Sequence, residues 1–320
     1  MYRFMALVFV FCLAACGGTA SPPLAGAGTQ STMARPDTAV RIFTANRDGA
    51  SVLAFKEKAS GNVAPVVTIA GPKTGLSDPD SLAMDASGNV YTANDGGSTV
   101  YVFGSNADGN VAPKRTLSGS NTMLGFIEGL FVDPSGNLWA TNYSAAAVTE
   151  YPPGAHGNVS PAKTIAGTKT KLSEPVGMAM DGKGRLFVAN GTGASVVAFA
   201  SGAHGNASPL VTIAGSNTGL GDPFALAFDS HGRLLVADES SGVLVFAKGA
   251  NGNVAPVATI TGSGEATGIV SDGQDRIYVA YFGGSIAVFA KNANGNATPI
   301  RTIEGPNTTL DGANYLAFQH

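Results

Sequence analysis

Gly157-Asn158-Val159-Ser160-Pro161 is one of six copies of a Gly-Asn-x-x-Pro phrase, which end at Pro65, Pro113, Pro161, Pro209, Pro256 and Pro299. The intervals between them are 48, 48, 48, 47 and 43 residues. A period in this range marks a repeat architecture, in which each unit buries its apolar face against its neighbours. The repeat also orders the search for function. Residues that recur in every copy serve the fold, and residues that break the pattern are candidates for chemistry.

Working outward from the phrase, each copy holds four short runs rich in Val, Ile, Phe, Tyr and Thr. In the third copy they cover 177–181, 185–190, 195–199 and 209–213. No stretch sustains the apolar period of a helix. Runs one and two are separated by Asp-x-x-Gly, with Asp85 and Gly88, Asp133 and Gly136, Asp181 and Gly184, and Asp229 and Gly232. Here the Asp carboxylate can accept from backbone N–H groups ahead of it, and Gly accepts positive φ. In the next copy Asp275 replaces the Gly after Asp272, and Asp still tolerates that conformation. Between runs three and four, Ser60-Gly61, Asp108-Gly109, His156-Gly157, His204-Gly205, Asn251-Gly252 and Asn294-Gly295 predict tight hairpin turns, each followed by a Pro at the start of run four.

Four antiparallel runs per unit describe one blade of a propeller. Counting gives six, so the predicted fold over 38–320 is an all-β, six-bladed β-propeller of four-stranded antiparallel blades. The first copy lacks its own run one, and 315–318 is an orphan run one. The C-terminal strand is therefore expected to complete the N-terminal blade, which closes the ring and removes an exposed sheet edge. The segments Pro175-Val176-Gly177-Met178-Ala179-Met180-Asp181 and Gly184-Arg185-Leu186-Phe187-Val188-Ala189-Asn190 resemble the NHL repeat. They are also similar to the propellers of the gluconolactonase-like, senescence-marker-protein group. The resemblance covers all six copies, and its motifs specify a fold more than an activity.

The N-terminus reads differently. Arg3 precedes an uncharged apolar run over 4–15, too short to span a bilayer and suited to a secretory signal. Leu13-Ala14-Ala15-Cys16 resembles a bacterial lipobox. That resemblance implies removal of residues 1–15, lipidation of Cys16, and a tether over 16–37 rich in Gly, Ser, Thr, Pro and Ala. The alternative is an ordinary signal peptide cut near Ala20 or Ala25. The expectation is an exported lipoprotein of the bacterial cell envelope that meets the membrane through its lipid alone. Cys12 and Cys16 are the two cysteines, so the repeat region carries no disulfide and relies on packing. With 19 basic and 22 acidic residues there is no polyanion-binding surface, which argues against nucleic acid.

The short, regular turns fall on one face of a propeller and the inter-blade connections on the other, where binding residues concentrate. The residue preceding run one, at the channel mouth of that second face, reads Asp80, Glu128, Val176, Phe224, Thr267 and Asn314 around the ring. Asn314, Asp80 and Glu128 come from consecutive blades. In the gluconolactonase-like group a divalent cation is held near this channel by Glu, Asn and Asp side chains. The resemblance implies Asp80, Glu128 and Asn314 as ligands for calcium or magnesium, which favour hard oxygens. Solvated polar residues lining a wet channel, or a site for another ligand, are the alternatives.

Run two ends in Asn46, Asn94, Asn142, Asn190, Asp238 and Tyr281. The recurring Asn predicts amides that satisfy backbone groups at a turn. The next positions vary: Arg47, Asp95, Tyr143, Gly191, Glu239 and Phe282. Arg47, Asp95, Tyr143, Glu239, Tyr281 and Phe282 are candidate ligand-binding residues. Tyr143, Tyr281 and Phe282 are candidates for a sugar- or peptide-contacting patch, with core packing as the alternative. Trp139 replaces Phe, Tyr or Leu of other copies and reads as packing between blades. The four histidines lie in turns or at the terminus, and no nucleophile-elbow, zinc-protease or phosphate-loop motif is present. These readings favour a monomeric binding platform for a protein, peptide or small carbohydrate-like ligand. A metal-dependent hydrolase of the lactonase type is the alternative.

Overall fold

The computed structural model describes residues 40–262 and 264–319. The expected signal, Cys16 and tether lie outside the described residues. Among the described residues no helix is long and apolar enough to cross a membrane.

Six four-stranded antiparallel sheets form a closed ring. Blade 2 contains β4 (Pro79–Met84), β5 (Val90–Asn94), β6 (Val100–Phe103) and β7 (Arg115–Leu117). Blade 3 contains β8 (Ile127–Val132), β9 (Leu138–Asn142), β10 (Ala147–Tyr151) and β11 (Lys163–Ala166). Blade 4 contains β12 (Pro175–Met180), β13 (Leu186–Asn190), β14 (Ser195–Phe199) and β15 (Val211–Ala214). Blade 5 contains β16 (Pro223–Phe228), β17 (Leu234–Asp238), β18 (Gly242–Phe246) and β19 (Ala258–Ile260), and blade 6 contains β20 (Ala266–Ser271), β21 (Ile277–Tyr281), β22 (Ser285–Phe289) and β23 (Arg301–Ile303). Blade 1 joins both ends of the chain. Its β1 (Arg41–Asn46), β2 (Ser51–Lys56) and β3 (Val67–Ala70) are completed by β24 (Ala313–Gln319), which pairs with β1. The expected ring closure is thus present.

The Asp-x-x-Gly turns behave as their chemistry dictates. Asp133 Oδ1 accepts from the backbone N–H of Ser135 and Asn137, and Gly136 takes φ 83°. Asp275, where Gly is replaced, takes φ 60°. The recurring Asn residues also bond backbone: the Oδ1 atoms of Asn46, Asn94, Asn142 and Asn190 accept from Asp311, Ser77, Gly125 and Ser173.

The repeated phrase itself does something the sequence reading did not anticipate. The connection from run three to run four is not a tight two-residue hairpin. It leaves the blade and lies against the outermost strand of the preceding one. Gly109 forms a parallel bridge with Ile69, and Asn110 Oδ1 accepts from Lys73 N at 2.8 Å. The same bridge joins Leu117 to Gly157, Ile165 to Gly205, Ile213 to Gly252 and Ile260 to Gly295. Gly61 bridges Ile303, so the phrase closes the ring a second time, from blade 1 onto blade 6. The fit is close. A Cβ on Gly119 (φ 120°) would lie 2.5 Å from the Asn158 amide oxygen. Only a residue without Cβ suits that approach and that backbone.

Between blades lies the apolar core. Trp139 packs with Met178, Leu186, Val188, Val197 and Phe199 of blade 4, as expected for an inter-blade residue. Its Nε1–H donates to Asp133, tying the core to the turn beneath. Each such side chain, when fully buried, contributes about 1.5–3 kcal/mol. A ring built this way is rigid enough to hold side chains in place at its channel mouth.

Candidate functional site at the channel mouth

Two rings of side chains meet on the inter-blade-loop face. The inner ring comes from the second residue of each innermost strand: Asn314, Asp80, Glu128, Val176, Phe224 and Thr267. These residues lie inside the strands, not ahead of them as the sequence reading had it. Five of the strands carry a β-bulge directly after their opening pair, as between Pro79 and Ser81, and in β24 the bulge falls at Tyr315. The outer ring follows run two: Arg47, Asp95, Tyr143, Gly191, Glu239 and Phe282. Its placement is fixed by one backbone bond per blade to the residue that precedes the innermost strand. Asp95 N donates to Asp78 O, Tyr143 N to Phe126 O and Glu239 N to Asp222 O.

A cleft of about 300 Å³ opens between the rings over blades 1 to 5. Five acids line it, Asp80, Asp95, Glu128, Asp222 and Glu239, against one base, Arg47. Phe126 and Tyr143 stack on one wall with ring centroids 5.3 Å apart. Phe224 forms part of the opposite side.

One carboxylate oxygen from each of Asp80, Asp95 and Glu128 lies within 4.8 Å of the others. Asn314 donates through Nδ2 to Asp80. Arg47 pairs with Asp95 and stands 4.0 Å from Asp80. Asp80 and Glu128 are buried. Burial, opposed by hydrogen bonding to Glu128 and by Arg47, leaves the Asp80 carboxyl raised to about 6. Burial followed by repulsion from Asp80 raises Glu128 to about 9. Glu128 therefore holds a proton at neutral pH and shares it with Asp80, and the two titrate as a pair. Glu239, raised by burial and then by Asp222, Glu265 and Asp80, reaches about 7.

Among the described residues, Arg47 is the one positive charge beside these acids, and Asn314 the one amide donor to Asp80. Two oxygens sharing one calcium at about 2.3–2.6 Å each can stand at most about 5 Å apart. The three carboxylates meet that limit. Asn314 Oδ1 is buried with no hydrogen-bond partner. Rotating the amide by half a turn would present this oxygen where Nδ2 now meets Asp80, and such orientations follow the local network. The donor set, carboxylates plus an amide oxygen, fits calcium or magnesium.

Of the residues singled out from sequence, Asp80, Glu128 and Asn314 are brought together, and Asp95 and Arg47 join them. Tyr143 and Glu239 line the same cleft. Phe282 lies beneath the Arg47 guanidinium at 5.9 Å. Tyr281 does not reach the cleft. It is buried in the core against Gly262 and Gly264, so no patch with Tyr143 and Phe282 forms. Phe126 and Asp222 were missed. Their signal was the irregular position before the innermost strand, which reads Asp78, Phe126, Glu174, Asp222, Glu265 and Gly312 around the ring.

Below the mouth the channel turns apolar, a cavity of about 350 Å³ lined by residues such as Leu82, Leu130, Met178, Leu226, Ile269 and Leu316. Tyr315 lines this cavity and packs its ring on Phe224 with centroids 5.2 Å apart. Burial first, then the charges of Glu128, Asp80 and Glu239, push its hydroxyl well above the usual tyrosine range.

No protein-family model matches the sequence, and no curated protein matches it. Solved structures share the fold. A protein of unknown function from Bacteroides caccae superposes with a TM-score of 0.62 at 10% identity, covering 88% of this chain and 98% of that one. A putative 6-phosphogluconolactonase from Bacteroides fragilis gives a TM-score of 0.58 at 17% identity, over 89% and 99% of the two chains. A streptogramin B lyase gives 0.54 at 14% identity, over 75% and 72%. At these identities the likeness concerns the propeller fold.

Proposed function

We propose that this protein is a ligand-binding propeller whose cleft holds a divalent cation on Asp80, Asp95 and Glu128, with Asn314, and recognises a small polar, carbohydrate-like ligand there. The observation that carries the reading is the convergence of three carboxylates within 4.8 Å at the floor of a concave, acid-lined cleft. The cation supplies a Lewis acid for ligand oxygens. Arg47 neutralises Asp95 and part of the field of Asp80. Phe126 and Tyr143 offer a stacked aromatic wall of the kind that sugar rings and peptide groups pack on. Titration calorimetry with calcium and with magnesium tests this directly. Saturable binding to the wild type that Glu128→Gln and Asp80→Asn weaken at least tenfold supports it, and heat that is absent with both cations sinks it.

A second reading, a hydrolase of the lactonase type, has one observation in its favour. A protonated Glu128 beside an ionised Asp80 is a carboxyl pair with separated proton affinities, the arrangement general acid–base chemistry uses. A lactone panel assayed with calcium, comparing wild type with Glu128→Gln, separates catalysis from binding alone. We further read residues 1–37 as an export signal and lipid anchor for the cell envelope. Detergent partitioning that Cys16→Ser abolishes supports that reading, and unchanged partitioning refutes it.

A further inference from the structure

One residue of the inner face breaks the repeat more sharply than the acids do. The position after the inner ring reads Ser81, Gly129, Gly177, Ala225, Gly268 and Tyr315 around the molecule. Five blades place a small residue there, and the geometry shows why. A Cβ on Gly129 would lie 2.1 Å from the carbonyl oxygen of Val176, and one on Gly177 would lie 2.2 Å from that of Phe224. In blades 3, 4 and 6 the neighbouring innermost strand passes too close for a side chain. Blade 1 carries a tyrosine at this place. Tyr315 sits at φ 46°, a left-handed conformation uncommon for a bulky aromatic residue. Such strain persists where the surroundings enforce it, and it concentrates at functional positions.

The position of the side chain adds a second observation. The Tyr315 ring lines the apolar channel and packs on Phe224, a residue of the cleft. Its hydroxyl is buried and has no hydrogen-bond partner. A buried hydroxyl left unpaired is destabilising. Its sequence neighbour, Asn314, carries the other orphaned polar atom of the mouth, Oδ1. Two adjacent residues of β24 thus hold unsatisfied polar atoms: Asn314 bonds Asp80, and the Tyr315 hydroxyl feels the charges of Glu128 and Asp80.

We infer that Tyr315 is a binding residue of the cleft, whose hydroxyl hydrogen-bonds the occupant of the carboxylate site through the water or ligand oxygen carried on a bound cation. The inference rests on the cation reading given above and adds to it the residue next to Asn314 on β24. The ring seals the floor, so that the cation's outer oxygens meet one fixed donor instead of the open channel. Of the two neighbouring blades, blade 6 has Gly268 and blade 2 has Ser81, whose hydroxyl is already engaged by the Ala93 N–H.

The test uses the full chain with terbium as the probe cation, in wild type, Tyr315→Phe and Tyr281→Phe. Tyr281 is the control, because its hydroxyl is also buried and unpartnered but points at Gly262, away from Phe224 and the channel. Tyr315→Phe keeps the ring and the floor and removes only the oxygen. Without cation it is expected to melt at or above the wild-type temperature, because an unpaired buried hydroxyl is gone. With terbium it is expected to bind about five- to tenfold more weakly, the worth of one hydrogen bond. Tyrosine-sensitised terbium emission should fall in Tyr315→Phe and stay at the wild-type level in Tyr281→Phe. Unchanged terbium affinity in Tyr315→Phe, with wild-type protein binding normally, overturns the role of Tyr315 and leaves the cation site standing. Absence of terbium binding to the wild type overturns both.

Discussion

The molecule places aspartates at two ends of its propeller, and the two sets behave in opposite ways. At the regular turns, Asp133 accepts four hydrogen bonds, from the backbone of Ser135 and Asn137, from the Asn137 amide and from Trp139. Burial alone would raise its pKa, but these donors outweigh it and hold the carboxyl below its ordinary value. Asp85, Asp181 and Asp272 are lowered in the same way. At the channel mouth Asp80 faces Asp95 and Glu128, and its carboxyl is raised. Burial is the largest cause of the Asp80 rise, and unlike at Asp133 its hydrogen bonds and Arg47 do not outweigh it, while Asp95 adds repulsion. A carboxylate surrounded by donors is part of the scaffold, and one surrounded by other acids waits for a cation or a proton. The Asp229, His231 and Asp275 group of the turn face shows that clustering alone is not enough. Asp229 is matched there by Arg233 and by backbone N–H groups, and Asp275 by Ser230.

The comparison can be broken most forcefully at the turns. Asp133→Ala leaves the Trp139 N–H and two backbone donors unpaired, and should cost about 3 kcal/mol in denaturant melts. Its cation affinity should equal that of the wild type. A comparable stability in the variant would mean that the turn aspartates are not structural.

Slightly smaller is the effect of a cation itself. At about 100 times its Kd it should add roughly 2.7 kcal/mol, and the gain should grow with pH. Protons compete for the Asp80 and Glu128 oxygens, whose pKa values stand near 6 and 9. A melting shift that is larger at pH 5.5 than at pH 8.5 would contradict the assignment of those two groups.

Removing Glu128 should act in the opposite sense to removing Asp133. A carboxyl whose folded pKa is raised contributes its full stability below its unfolded value, and that stability is lost as pH climbs toward the folded value. The cation-free wild type should therefore weaken between about pH 5 and 9. Glu128→Gln should weaken less, and end about 2 kcal/mol more stable at the alkaline end. Parallel pH profiles for the two proteins would count against the raised pKa.

The smallest effect belongs to Arg47, the lone base of the cleft. It shares Asp95 and Asp80 with any incoming cation. Arg47→Ala should tighten calcium binding about tenfold, or 1.4 kcal/mol, as read by calorimetry. Weaker binding would show that Arg47 organises the carboxylates instead of competing for them.

The propeller was legible in the sequence because a fold made of copies states its rule several times. The Asp-x-x-Gly turns, the four runs and the split first blade all carry their physical reasons in residue type and order. The inner ring was legible as well, since Asp80, Glu128 and Asn314 occupy equivalent positions of successive blades. Other features were hidden by geometry that spacing does not record. The bulge turns Tyr315 toward the channel, whereas its equivalents are too small to show a direction. Asp95 reaches the carboxylates from the turn after β5, where its N–H bonds Asp78 O. Tyr281 looks equivalent to the recurring Asn residues but turns into the core. The phrase Gly-Asn-x-x-Pro marked the period correctly, yet its work between blades depends on contacts some 40 residues distant, such as Lys73 with Asn110.

The most direct measurement of the central claim is anomalous diffraction from a crystal of the protein soaked in manganese, a divalent ion with the same preference for oxygen. The account predicts a single strong peak between Asp80, Asp95 and Glu128, with Asn314 Oδ1 turned toward it. A peak only at the Asp229, His231 and Asp275 group, or clear density for Arg47 filling the space between the three carboxylates with no peak there, would contradict it.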